Sequence, residues 1–140
     1  MPDNFWAAHF KLFAQQKWAV IHSIITSGNF NDDNMHSIRK NLKDLFYNLT
    51  LYKGAEHKKL LHRITNGKSK QYFEELIDEL GNFQNKCMAV SLLKPYQLNR
   101  VSQHDRELLE KIKKRWVKEK AGMKRLLVRQ LKETITPIKN

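Results

Sequence analysis

Seven basic residues near the C-terminal end have the spacing to do chemistry together: Lys111, Lys114, Arg115, Lys118, Arg125, Arg129 and Lys132. At about 100° per residue of α-helix they fall within one arc of roughly 100°. Between 111 and 132 no Asp or Glu shares that arc. A row of ammonium and guanidinium groups with no intervening acid can meet successive phosphates and displace their condensed counterions. At about 1.5 Å per residue the row is roughly 32 Å long, close to the ~34–36 Å turn of a duplex. Ala121 and Gly122 lie near its middle, where small side chains let a partner approach. Asn and Gln are sparse on the arc, so base-edge reading is not expected. The expected partner is DNA or RNA held through phosphates with little sequence specificity, or failing that another polyanion. A membrane-surface helix would present bulky apolar anchors on its free face, whereas Trp116 sits on the stripe that a core would claim.

A second surface follows from the same stretch. Val117, Val128 and Ile135 point away from its main apolar stripe, and a helix apolar on two sides covers the second side with another element or another chain. This is the basis of the alternative reading. In that reading the chain is a protein–protein adaptor or assembly module that holds an acidic partner or forms a homodimer through the end of this helix.

Other chemistries lack their residues. Gly67-Lys68-Ser69 resembles the end of a phosphate-binding loop, but the required upstream glycine position is His62 and no strand pattern precedes it. Six histidines are present. His57 and His62 are five apart and so point about 140° apart on a helix, not the i,i+4 spacing that two ligands on one face need. The Glu-x-x-His elements of a di-iron bundle are missing. Cys87, the lone cysteine, lies on an apolar seam with nothing beside it in sequence to stabilise a thiolate. It excludes a disulfide framework and a multi-thiolate zinc site. No nucleophile-elbow pattern occurs. The expectation is a non-enzymatic protein with no catalytic residues, metal or cofactor.

These residues must be carried by helices. A first helix over about 4–26, capped by Asp3 or Asn4, places Trp6, Phe10, Phe13, Val20, Ile21 and Ile24 on one face. Leu12, Trp18 and Ile25 point elsewhere, which suits a central helix. Lys17 falls between Phe13 and Ile21, so either its amine snorkels to water or it pairs with an acid from the second or fourth helix. After Gly28 and an Asn/Asp-rich loop, a second helix over about 33–52 carries Met35, Ile38, Leu42, Leu45, Leu49 and Tyr52. A short third helix over about 55–65 serves as a connector and stops at Asn66-Gly67. A fourth over about 69–93 carries Phe73, Leu76, Leu80, Phe83, Cys87 and Val90, with Gly81 on its polar side, and Pro95 blocks its continuation. The fifth and longest runs from about 102 to 135. It opens on Ser102-Gln103-His104-Asp105, similar to a capping box, and its stripe is Leu108, Leu109, Ile112, Trp116, Met123, Leu126 and Leu127. Pro137 stops it.

The fold class is therefore all-α. The expected architecture is a single-domain helical bundle over residues 1–140, with four main helices plus a connector. The composition agrees: 140 residues, 41% hydrophobic and only 5 Gly and 3 Pro, too apolar for a disordered chain and too poor in turn residues for a β-sandwich. No transmembrane segment or signal peptide is evident, and the Asn48-Leu49-Thr50 sequon is read as chance, so the expected compartment is cytoplasmic. The formal net charge is +12, of which residues 102–140 contribute +7 from 12 basic and 5 acidic side chains.

Overall fold

In the computed structural model, residues 2–51, 59, 62–63 and 67–135 are described, excepting the side chains of 2–7 and 49–51. Among them the chain is helical apart from short turns and contains no strand: α1 (Pro2–Ser27), α2 (Asp32–Leu51), α3 (Lys70–Leu92), the single-turn α4 (Pro95–Leu98) and α5 (Gln103–Thr134). The all-α bundle with a long basic C-terminal helix is what the periodicity predicts. Most of the expected connector, 55–65, lies outside the described residues.

Local chemistry sets the helix ends. α1 starts at Pro2, ahead of the expected Asp3 or Asn4 cap; a first-turn position suits a residue with no N–H. It stops at Gly28, whose φ of 72° is left-handed and whose N–H donates to Ile25 O at 3.2 Å. Asn31 Oδ1 accepts from the Asn34 N–H at 2.8 Å and caps α2. Ser69 accepts from the Tyr72 N–H at 3.1 Å and caps α3. Gly67-Lys68-Ser69 is thus a left-handed turn leading into a helix cap. Ser102 accepts from the Asp105 N–H and caps α5, as the sequence there implies.

Each long helix packs chiefly on its neighbour in sequence: α1 on α2, α2 on α3, and α3 on α5. Cross-links fix the antiparallel sense of the last two pairs. Arg39 of α2 donates to Gln84 of α3, while Phe46 stacks on Phe73 at 4.7 Å. Lys86 of α3 bonds Glu119 of α5, while Tyr72 Oη and Thr134 Oγ1 lie 2.7 Å apart. Gly81 earns its place here. A Cβ would lie 3.1 Å from the Arg39 guanidinium, so the missing side chain lets that group lie flat on α3.

The core comprises Ala14, Trp18 and Ile21 of α1, then Met35, Ile38, Leu42, Leu45 and Phe46 of α2. Phe73, Leu76, Leu80 and Phe83 of α3 and Leu127, Leu131 and Ile135 around the end of α5 complete it. The α2 and α3 stripes match expectation where described. The α1 stripe is rotated. Trp18 is buried and Ile25 packs against the core, whereas Val20 is exposed. The small Ala14 lets α1 approach α2 closely, and the 14, 18, 21, 25 spacing is a 3–4 seam that bulk alone does not reveal. Lys17 sits at the edge of that seam. It takes the ion-pair option, 3.2 Å from Asp44 of α2, with its ammonium 5.4 Å from the Phe13 ring centroid.

The stripe of α5 is rotated as well. Leu127, Leu131 and Thr134 are buried, while Leu108 and Leu126 of the expected stripe are exposed, Leu126 at 68%. Adjacent leucines cannot both face one core, and Leu127 takes the inward position. Ile135 and Val128 require correction as partner-edge residues: Ile135 is buried in this chain's core and Val128 is half-buried against it. Of the three, Val117 stays substantially exposed, at 44%.

Candidate nucleic-acid interface

The basic arc is built on the back of α5. The inward face runs through Trp116, Lys120, Met123, Lys124, Leu127 and Leu131, which are buried or half-buried. The arc lies diametrically opposite that face on the helix. Lys111, Lys114, Arg115, Lys118, Arg125, Arg129 and Lys132 are accordingly all exposed. Gly122 is open above: a Cβ there would meet nothing closer than an Arg125 guanidinium nitrogen at 3.9 Å. Nothing between the two halves of the arc would hold a polyanion off the helix.

Three cations at the packed edge, Lys86, Lys120 and Lys124, are neutralised locally, whereas the half-buried Lys113 has no carboxylate partner among the described residues. Lys120 Nζ lies 2.6 Å and Lys124 Nζ 3.0 Å from the carboxylate of Asp32 in the first turn of α2. Lys86 Nζ lies 2.7 Å from Glu119 and 5.5 Å from the Trp116 ring. Burial alone would raise the Asp32 carboxyl, but the two ammonium groups win and hold it below the ordinary carboxylate range. The bond to Asp32 raises Lys120 against the opposing effect of burial, and the bond from Lys86 holds Glu119 down.

The arc differs from these. Lys111, Lys114, Lys118, Arg125 and Arg129 have no carboxylate within ion-pairing distance among the described residues. Arg115 is partly drawn aside, with Nε 3.5 Å from Glu119, yet it remains 77% exposed. Lys132 leans over the Phe30 ring at 5.6 Å. Glu110, at the flank, is engaged by Arg106 at 3.2 Å. The structure thus brings all seven residues onto one face and, among the described residues, leaves six without an acid, Lys132 resting on an aromatic ring instead.

Matched against models of known protein families, curated proteins and solved structures, the chain matches none. The site therefore stands on its own geometry.

Among the described residues no three or more His, Cys, Asp or Glu side chains gather where they could hold a metal ion, and no helix is long and apolar enough to cross a membrane. Cys87 is half-buried at the α3 seam, where burial first and the nearby Asp32 carboxylate second push its thiol up, away from the thiolate. His57 lies outside the described residues.

Two features are not among the expectations drawn from the sequence. One is the pairing of Lys120 and Lys124 with Asp32, which removes two cations from the surface across a separation of 88 residues. The other is α4, whose Pro95 and Leu98 lie beside α5 and, with it, form a groove. Pro95 at a first helical position was a readable signal for that turn.

Proposed function

We propose that the protein is a non-enzymatic nucleic-acid-binding module whose α5 contacts the phosphate backbone with little sequence specificity. One observation carries the reading. Lys17, Lys86, Lys120 and Lys124, which lie at packed edges, each have an acid. Six of the seven cations on the outward arc of the longest helix have none among the described residues. An outer face kept merely soluble mixes both signs of charge, because self-repulsion along one helix face is unfavourable and i,i+4 acid–base pairs relieve it. A one-sign row accepts that repulsion, and a polyanion relieves it. Lys111, Lys114, Arg115, Lys118, Arg125, Arg129 and Lys132 form the contact set, with Lys132 and Arg115 swinging from Phe30 and Glu119 when phosphate is present.

The cytoplasm is the proposed compartment, where an unpaired thiol such as Cys87 stays reduced. The test is fluorescence anisotropy with a labelled duplex and a labelled single strand at two salt concentrations. Binding that weakens steeply with salt, and that is lost on combined Lys118→Glu and Arg125→Glu with the helical spectrum retained, supports the reading. No binding at low salt overturns it.

A further inference from the structure

An open groove between α4 and α5 has a volume of about 1030 Å³. Its floor is apolar: Pro95 and Leu98 from α4, and Val117 from α5. Leu98 is buried and seals the floor, while Val117 is 44% exposed and looks into the groove. Lys113, Lys114 and Lys118 stand on its walls with no carboxylate partner among the described residues. The one acid lining it, Glu110, is already bonded to Arg106. Val117 lies about 110° round the helix from the middle of the basic arc. The groove is thus centred to one side of the arc, although Lys114, Arg115 and Lys118 of the arc also line it.

We propose that this groove is a docking site for an acidic, amphipathic helical segment of a partner protein. Charge complementarity selects the occupant: carboxylates would answer the three lysines, while apolar side chains at i and i+4 would reach Val117 and the α4 floor. The size suits it, since a helix about 10 Å wide fills roughly 1000 Å³ in a little over two turns. A phosphate backbone has no use for an apolar floor, and a lipid surface favours bulky apolar side chains that stand proud of a helix rather than a recess. The proposal does not require the phosphate-binding reading, although Lys114, Arg115 and Lys118 serve both surfaces, and Lys113 and Val117 belong to the groove alone.

The test uses the full chain and a labelled 18-residue helical peptide with leucines at i, i+4 and i+7 and glutamates on either flank. A scrambled peptide of the same composition is the control. The expected result is saturable binding, at least tenfold weaker for the scrambled peptide. Val117→Asp should weaken it at least tenfold and Lys113→Glu at least threefold, the second variant serving if the first misfolds. Combined Arg125→Glu and Arg129→Glu should leave peptide affinity within twofold while weakening duplex binding. Those charges lie beyond the ~8 Å screening length at physiological salt. Equal affinity for the two peptides, or no response to either groove variant, overturns the proposal. So does sedimentation showing that Val117→Asp abolishes self-association of the chain, or Val117-dependent capture by phosphatidylserine vesicles with no peptide binding.

Discussion

Asp32 joins the first turn of α2 to two lysines on α5, and its charge state is the residue-scale key to how α5 is held. Its carboxyl is depressed below the ordinary value near 3.8, so its contribution is fully present above that value and is lost as pH falls through the lower folded-state value. The side chain is 42% exposed, so water screens the pair and the contribution is about 1 kcal/mol. Asp32→Asn should lower stability at neutral pH by that amount in urea titrations, and the difference from the parent should close as pH drops below 3.8. Lys120 works in the opposite sense: raised by the same bond, it contributes at neutral pH and loses that contribution only as pH rises through its folded value. A second residue-scale test concerns the one buried polar residue among the described residues. Thr134 is buried, its hydroxyl meets Tyr72 Oη, and Gln130 donates to that same oxygen at 3.2 Å. Tyr72→Phe leaves the buried hydroxyl and a carboxamide without their shared partner. A loss of about 1–2 kcal/mol is expected by chemical denaturation, larger than an exposed tyrosine would cost.

At the scale of the element, α2 and α3 were legible because their apolar residues recur at a clean helical period, and that pattern alone decides which face is buried. α1 and α5 were legible as helices but not in rotation. Phe13 and Val20 outweigh Ala14 in any count of bulk, although close approach of helices favours the small residue, so the main stripe of α1 reads rotated; Trp18 and Ile25, off that stripe, are packed, as a helix apolar on two sides allows. On α5 the inward face passes through Lys120 and Lys124, positions that pattern reasoning gives to solvent. Their burial depends on Asp32, far away in sequence, so no local signal could have placed them. The basic arc survived that rotation because it was defined by charge, and a core shift of a few tens of degrees still leaves its residues outside. α5 is also unevenly supported. Residues 101–108 are exposed throughout, and the half that packs on α3 begins near Trp116. The exposed start is held by the Ser102 cap and by α4. Ser102→Ala should therefore cost about 1 kcal/mol of local helix stability and speed amide exchange in the first turn of α5, while the amides of 124–131 remain protected.

For the whole molecule the relevant quantity is not the net charge of +12 but how much of it can be offered to one partner. Four lysines are committed to internal acids, and the charge of α1 to α3 is spread over several helices. What remains on one line is the arc of α5, with five cations free and two lightly engaged. Each phosphate neutralised releases condensed counterion and lowers the slope of log affinity against log salt by about 0.9 for duplex DNA and about 0.7 for a single strand. Five contacts predict a duplex slope of about −4.5, and recruiting Arg115 and Lys132 would steepen it to about −6. A slope near −11 would require most of the net charge to act together, which a single helix face does not permit. Replacing Lys118 and Arg125 by alanine should make the slope shallower by about 2 and weaken binding to unrelated sequences equally. Replacing Lys120 and Lys124 should change the slope by less than one contact, because those ammonium groups already have Asp32. Anisotropy titrations of one duplex across a salt series, on the parent and both pairs of variants, distinguish the two outcomes. Equal changes in slope from the two pairs would mean that the protein binds through its overall field and not through the arc.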